Sequence, residues 1–216
     1  TFDSGGYSLK PSNAMEDMKI DMSGAAAVIA AMDAIATIGS EHEVHAIAAC
    51  CENLVSGHAY KLGDVLTAMD GTTVEINNTD AEGRLTLGDA ITYARTKVEP
   101  DEIFDFATLT GSMIAALGNR YAGVFASSDA LAALAVGAGR QSGERICVFP
   151  MDKDYEAALD SKVADIKQCT LEGDADHILA ARFLKRFTHD SPWLHVDLSS
   201  ASCCGGLGAV ASDLTG

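Results

Sequence analysis

The chain has 216 residues, with 31 acids against 15 lysines and arginines and a formal net charge of −16, so its average surface repels phosphate backbones and nucleic acid is not expected as a partner. A hydrophobic fraction of 48% is enough for one substantial core, while 6% aromatics and many small residues suit helices packed closely on a sheet. Asp33 interrupts "GAAAVIAAMDAIATIG" short of a membrane span, and "TFDSGGYSLK" lacks the charged lead and apolar block of a signal peptide, so a soluble cytoplasmic protein with no membrane partner is expected.

The opening "TFDSGG" reads as the end of a strand and a tight turn, as if a larger domain began upstream. Val28, Met32 and Ile35 then recur at helical spacing between Gly24 and Ile38, predicting a buried helix. "EVHAIAACCENLV" predicts an inner strand emptying into a loop at Cys51 to Asn53, and "SGHAYKLGDVLTAMDGTTVEIN" a loop and a hairpin about the Asp70-Gly71 turn. Leu87, Ile91 and Ala94 mark the next helix, "EIFDFATLTG" a buried strand, and "DALAALAVGAGR" a helix that Gly137 and Gly139 would end. "DKDYEAALDS" and "HILAARFLKRF" read as helices and "WLHVDLS" as a strand. The expected fold is α/β, a mixed, mostly parallel sheet flanked by helices on both faces. One domain would span 1–216, cut short at both ends, since the tail "CCGGLGAVASDLTG" closes with no ordinary element.

Six cysteines fall as the pairs Cys50-Cys51 and Cys203-Cys204 plus Cys147 and Cys169, with no C-x-x-C spacing, and read as free, mostly buried thiols. Four carboxylates stand where α/β folds keep their sites, near strand ends and helix starts: Asp3, Asp21, Asp80 and Glu82. Each alone could be a cap or a turn former. In "INNTDAEGRLTLGDA", however, Asp80, Glu82 and Arg84 alternate, and an extended segment would project all three to one side. Converging carboxylates repel unless a cation lies between them, and a divalent ion meets that need. Lys10 and Lys19 also sit near acids.

"NTDAEGRL", from Asn78 to Leu85, resembles the signature of the leucyl aminopeptidase family, and "TFDSGGYSLK", "MKIDMSGAAAV" and "FATLTG" resemble its companion motifs in the same order. The resemblance implies a metal-dependent aminopeptidase that removes the first residue of a peptide with a free N-terminus. Asp3 and Glu82 would bridge two divalent ions, manganese or zinc or possibly magnesium, with Asp21 completing one site and Asp80 the other. A hydroxide shared by the two ions would attack the peptide carbonyl. Lys10 would be the catalytic lysine. Arg84 matches the arginine that holds a bicarbonate ion, and Met18, Thr108 and Leu109 match substrate-lining positions. The resemblance also implies an amino-terminal domain, a further metal-binding lysine upstream of Thr1 and a hexamer in the complete protein. "KQCTLEGDADHILAARF" departs from the family's glycine- and threonine-rich pattern, and Gly88 stands where alanine is common, a change worth about 1 kcal/mol of helix propensity.

Two other readings compete. A two-metal phosphoesterase would want histidines beside the acids, and the six here cluster with none of them; "HEVH" at His42 to His45 lacks the H-E-x-x-H spacing and reads as surface histidine. The other is a catalytically deficient fragment that acts as a metal-binding or oligomer-forming module.

Overall fold

A computed structural model describes residues 2–201. Its principal sheet has four strands in the order β3 (Ile103–Ala107), β7 (Trp193–Asp197), β4 (Ala122–Ala126) and β5 (Ile146–Val148). β3 runs parallel to β7 and β4 parallel to β5, while β7 and β4 are antiparallel. A smaller sheet joins β1 (Val65–Thr67), β2 (Thr73–Glu75) and β6 (Ile166–Lys167), the first pair antiparallel and the second parallel. The mixed, mostly parallel α/β architecture is as expected.

Alternation along β7 explains how helices cover both sheet faces. Trp193 joins a core with Phe183, Leu184 and Phe187 of α6 (Asp176–Thr188) and Met113 of α4 (Gly111–Leu117). Leu194 and Val196 point the other way, toward Leu131 of α5 (Asp129–Ser142). Successive side chains of a strand face opposite sides, so a strand buried throughout, as β7 is, needs a layer on each.

α3 (Glu82–Tyr93) packs along α6, and Gly88 makes this possible. A Cβ there would stand 3.0–3.2 Å from the Phe187 ring. The glycine therefore relieves a tight contact with Phe187 as well as costing helix propensity. At Gly24, near the start of α2 (Ser23–Ile38), a Cβ would come within 2.0 Å of the Phe106 carbonyl oxygen, so only glycine lets α2 begin against β3.

Several expectations are corrected. α2 buries only Ser23 and Gly24; its apolar side instead faces a groove of about 1050 Å³ shared with residues 42–51, α3 and β3. Residues 43–50 form no strand: they line that groove, all but Ile47 are exposed, and no burial of the apolar run holds their backbone in a ladder; the isolated bridge that follows is parallel, between Asp3 and Asn53. α5 runs through Gly137 and Gly139 and ends at Gly143, whose φ of 83° suits a glycine cap. Cys50 and Cys51 are exposed and Cys169 is buried; Cys203, Cys204 and the glycine-rich tail lie outside the described residues. Lys153–Leu159 forms a 3₁₀ helix. Ser12–Ile38 is long and apolar enough to be weighed as a membrane span. It is not one helix, however: α1 (Ser12–Met15) and a 3₁₀ turn at Met18–Ile20 precede α2. α2 has 16 residues, about 24 Å at 1.5 Å per residue, short of the roughly 30 Å hydrocarbon core.

Candidate active site

Two loops distant in sequence build the site. The first, Asp3 to Gly6, turns sharply through Gly5 at φ 84° and Gly6 at φ 62°, and a Cβ on Gly5 would lie 2.8 Å from an Asp80 carboxylate oxygen. The second is the signature loop before α3. Thr79 fastens them together: its hydroxyl donates to the Gly5 carbonyl at 2.6 Å and accepts from the Ser8 N–H at 2.7 Å. Asn78 caps the turn by accepting the Asp80 N–H at 2.9 Å.

Asp3, Asp80 and Glu82 are brought together, each offering a carboxylate oxygen within 4.8 Å of the others. Lys10 enters between two of them, its Nζ 2.9 Å from Asp3 and 2.7 Å from Asp80. The ammonium thus stands where positive charge is needed. Burial alone would lower the lysine's pKa, but its hydrogen bonds to Asp80 and Asp3 outweigh that and raise it. Burial, reinforced by the Asp3 charge, pushes Glu82 up to about 8. Burial also raises Asp80, against the pull of Lys10. Such a site holds more carboxylate than its own cation neutralises. The residues therefore fit a divalent ion.

Asp21 faces this cluster without joining it. It accepts a hydrogen bond from the Thr108 hydroxyl at 2.7 Å, and burial raises its pKa, with the Asp3 charge adding to the rise. Thr108 and Leu109 line the groove, as do Asp21 and Glu82. They are held from behind: buried Asp197 accepts the Leu109 N–H at 3.2 Å and the Thr110 hydroxyl at 2.6 Å. Met18 is half-buried in the 3₁₀ turn and is not among the groove-lining residues, whereas Met22 is. Lys19 is exposed.

Arg84 departs from the expectation that it shares a side with the carboxylates. The segment is not extended, because α3 begins at Glu82. Two helical residues turn about 200°, so Arg84 leaves the helix on the far side. Its guanidinium is buried, with NH1 donating to the Gln168 carbonyl at 3.1 Å and NH2 to Asp176 at 2.8 Å.

Four residues near the carboxylates carried no periodic or charge signal in the sequence. Asn53 donates from Nδ2 to Asp3 at 2.9 Å, to the Thr79 carbonyl at 2.9 Å and to Glu82 at 3.2 Å, so one amide orients two carboxylates. Tyr60 donates to the Thr79 carbonyl at 3.0 Å, and burial raises its pKa. Gln168 donates to the Ala81 carbonyl at 2.8 Å, behind Glu82. Thr79 was visible only as part of the signature.

Residues 1–214 match the sequence model described as the cytosol aminopeptidase family, catalytic domain. The chain belongs to this family. It is 45% identical over 202 residues to a "Probable cytosol aminopeptidase" of Phytoplasma australiense, covering 93% of this chain and 41% of that protein. It is 47% identical over 199 residues to the Gloeobacter violaceus protein of the same name, covering 92% of this chain and 39% of the relative. Against the Chlorobium luteolum protein it is 47% identical over 203 residues, covering 94% of this chain and 40% of the other. This cytosol aminopeptidase family chain thus spans roughly two-fifths of the length of the curated relatives it matches.

Proposed function

We propose that this chain carries the catalytic site of a metal-dependent, leucyl-type aminopeptidase acting on peptides with a free N-terminus. Asp3, Asp80 and Glu82 would hold divalent cations, with Asp21 as a further ligand from the facing wall. The observation that carries this reading is the convergence of three carboxylates within 4.8 Å around the Lys10 ammonium. All-oxygen ligands suit manganese or magnesium, and zinc accepts carboxylates too.

When bound, the ions would supply a water acidified toward neutrality. The chain's own residues supply orientation and charge. Asn53 fixes Asp3 and Glu82 in one arrangement, so their oxygens need no reorganisation during reaction. Lys10 has a side chain only 15% exposed and stays protonated, so it places positive charge where a peptide carbonyl oxygen would become negative. Thr108 and Leu109 offer a half-buried wall to the substrate's first side chain.

The test combines calorimetric manganese titration of metal-free protein with hydrolysis of a leucine anilide. The complete protein should bind and turn over, and Glu82→Gln in it should lose both. Turnover surviving both chelation and Glu82→Gln would overturn the proposal. A second reading, a metal-binding or oligomer-forming module without catalysis, draws on the way Lys10 already neutralises part of the cluster; it predicts manganese binding without hydrolysis. Cytoplasmic location and assembly into a hexamer belong to the same proposal, and sedimentation as a monomer at micromolar concentration would remove the latter.

A further inference from the structure

The bicarbonate that the family resemblance gives to Arg84 does not fit the surroundings of this arginine. Its NH2 already holds the Asp176 carboxylate at 2.8 Å and its NH1 a backbone carbonyl at 3.1 Å. Three N–H groups remain, Nε and one on each terminal nitrogen, but the arginine's single positive charge is already matched by the Asp176 carboxylate. A bicarbonate would also bring a second negative charge against Asp176.

We propose that Asp176 is the built-in counter-anion of Arg84, replacing a bound small anion and acting as a positioning residue for the signature helix. The inference rests on the placement of Arg84 within the proposed site, but it concerns anion binding and can fail separately. Arg84 is 2% exposed, so its charge requires a close partner, and the Asp176 side chain, 24% exposed, is the acid that meets it. The carboxylate also suits its own location in the first turn of α6, where backbone N–H groups favour negative charge.

The pair has mechanical consequences for the carboxylate site. Arg84 lies two positions after Glu82 on α3, and Gln168, whose carbonyl takes Arg84, holds the Ala81 carbonyl and the Asn78 N–H through its side chain. Asp176, Arg84 and Gln168 therefore brace the backbone on both sides of Asp80 from behind. Asp176 falls in the stretch of sequence that departs from the family pattern, so this anion would be a property of this chain's own sequence.

The experiment measures thermal unfolding and calorimetric binding of the full chain at about pH 8, with sodium bicarbonate or formate against chloride at matched ionic strength. Wild type should show no saturable response. Asp176→Ala should unfold at lower temperature in chloride and bind bicarbonate or formate at least about tenfold more tightly than wild type, recovering stability as the anion saturates. If Asp176→Ala does not fold, Asp176→Asn keeps the shape while removing the charge and should show the same gain. Adding Arg84→Met to either variant should abolish the response. Saturable bicarbonate binding by wild type as tight as by the variants, or folded variants with no anion response, would overturn the proposal.

Discussion

Glu82 is the residue whose protonation most directly couples metal, pH and folding. Its pKa in the folded, metal-free chain rises from 4.5 to about 8 through burial and the Asp3 charge. At 1.36 kcal/mol per tenfold change in proton affinity, a rise of that size corresponds to roughly 5 kcal/mol. Solvent at the open side of the site and reorientation of Lys10 reduce the expected effect to about 2–3 kcal/mol. The sign follows from which state holds the proton. Because the folded pKa is raised, the contribution is fully present below about pH 4.5 and is lost as pH rises through about 8. Urea unfolding in chelator from pH 5 to pH 9 should therefore show wild type losing about 2–3 kcal/mol more than Glu82→Gln, whose side chain does not titrate. Saturating manganese should remove the difference. At neutral pH, manganese binding by wild type should release close to one proton from Glu82, measurable by calorimetry in buffers of different ionisation enthalpy. Parallel pH profiles for wild type and Glu82→Gln, with no proton released on binding, would refute the reasoning.

Lys10→Ala in the complete enzyme should lower kcat by about 10²–10³ with little change in KM, because an oxyanion partner acts in the transition state; steady-state kinetics that showed a change in KM alone would make Lys10 a binding residue. Asn53→Ala should weaken manganese binding about 10–100-fold by calorimetry, since the amide that orients Asp3 and Glu82 is lost. Gly88→Ala should fail to gain the roughly 1 kcal/mol of helix propensity in urea unfolding, whereas Gly88→Ala with Phe187→Leu should recover part of it. If the single variant were stabilised by the full amount, the Phe187 contact would carry no energetic weight.

The sequence revealed the elements whose pattern is local. "WLHVDLS" and "EIFDFATLTG" are dense apolar runs and became β7 and β3, and the Asp70-Gly71 turn joined β1 to β2. β4, β5, β6 and α4 gave no such reading: β5 and β6 have three and two residues, and a strand that short is fixed by its partner. The carboxylates Asp3, Asp80 and Glu82 were legible as a set because their chemistry is shared. The direction of Arg84 was not, since it depends on whether the turn at Ala81 ends before or after Glu82, a single-residue question of helix start. Asp176 and Asn53 were hidden for a different reason. Asp176 acts through Arg84, 92 positions away, and Asn53 through Asp3 and Glu82, 50 and 29 positions away.

Thr79 reaches across 74 positions to fasten the Gly5 turn. Neither half of the pocket can therefore take shape by local chemistry during synthesis, before the later loop has emerged. A nascent or partly degraded chain would carry Asp3 and Lys10 with nothing to complete them, and ordering them early would incur the entropy of closing that long loop without reward. Hydrolytic competence would then arrive only once the distant loops have met. On the proposed function, a site built this way stays silent while unfolded segments of its own chain are most open to attack.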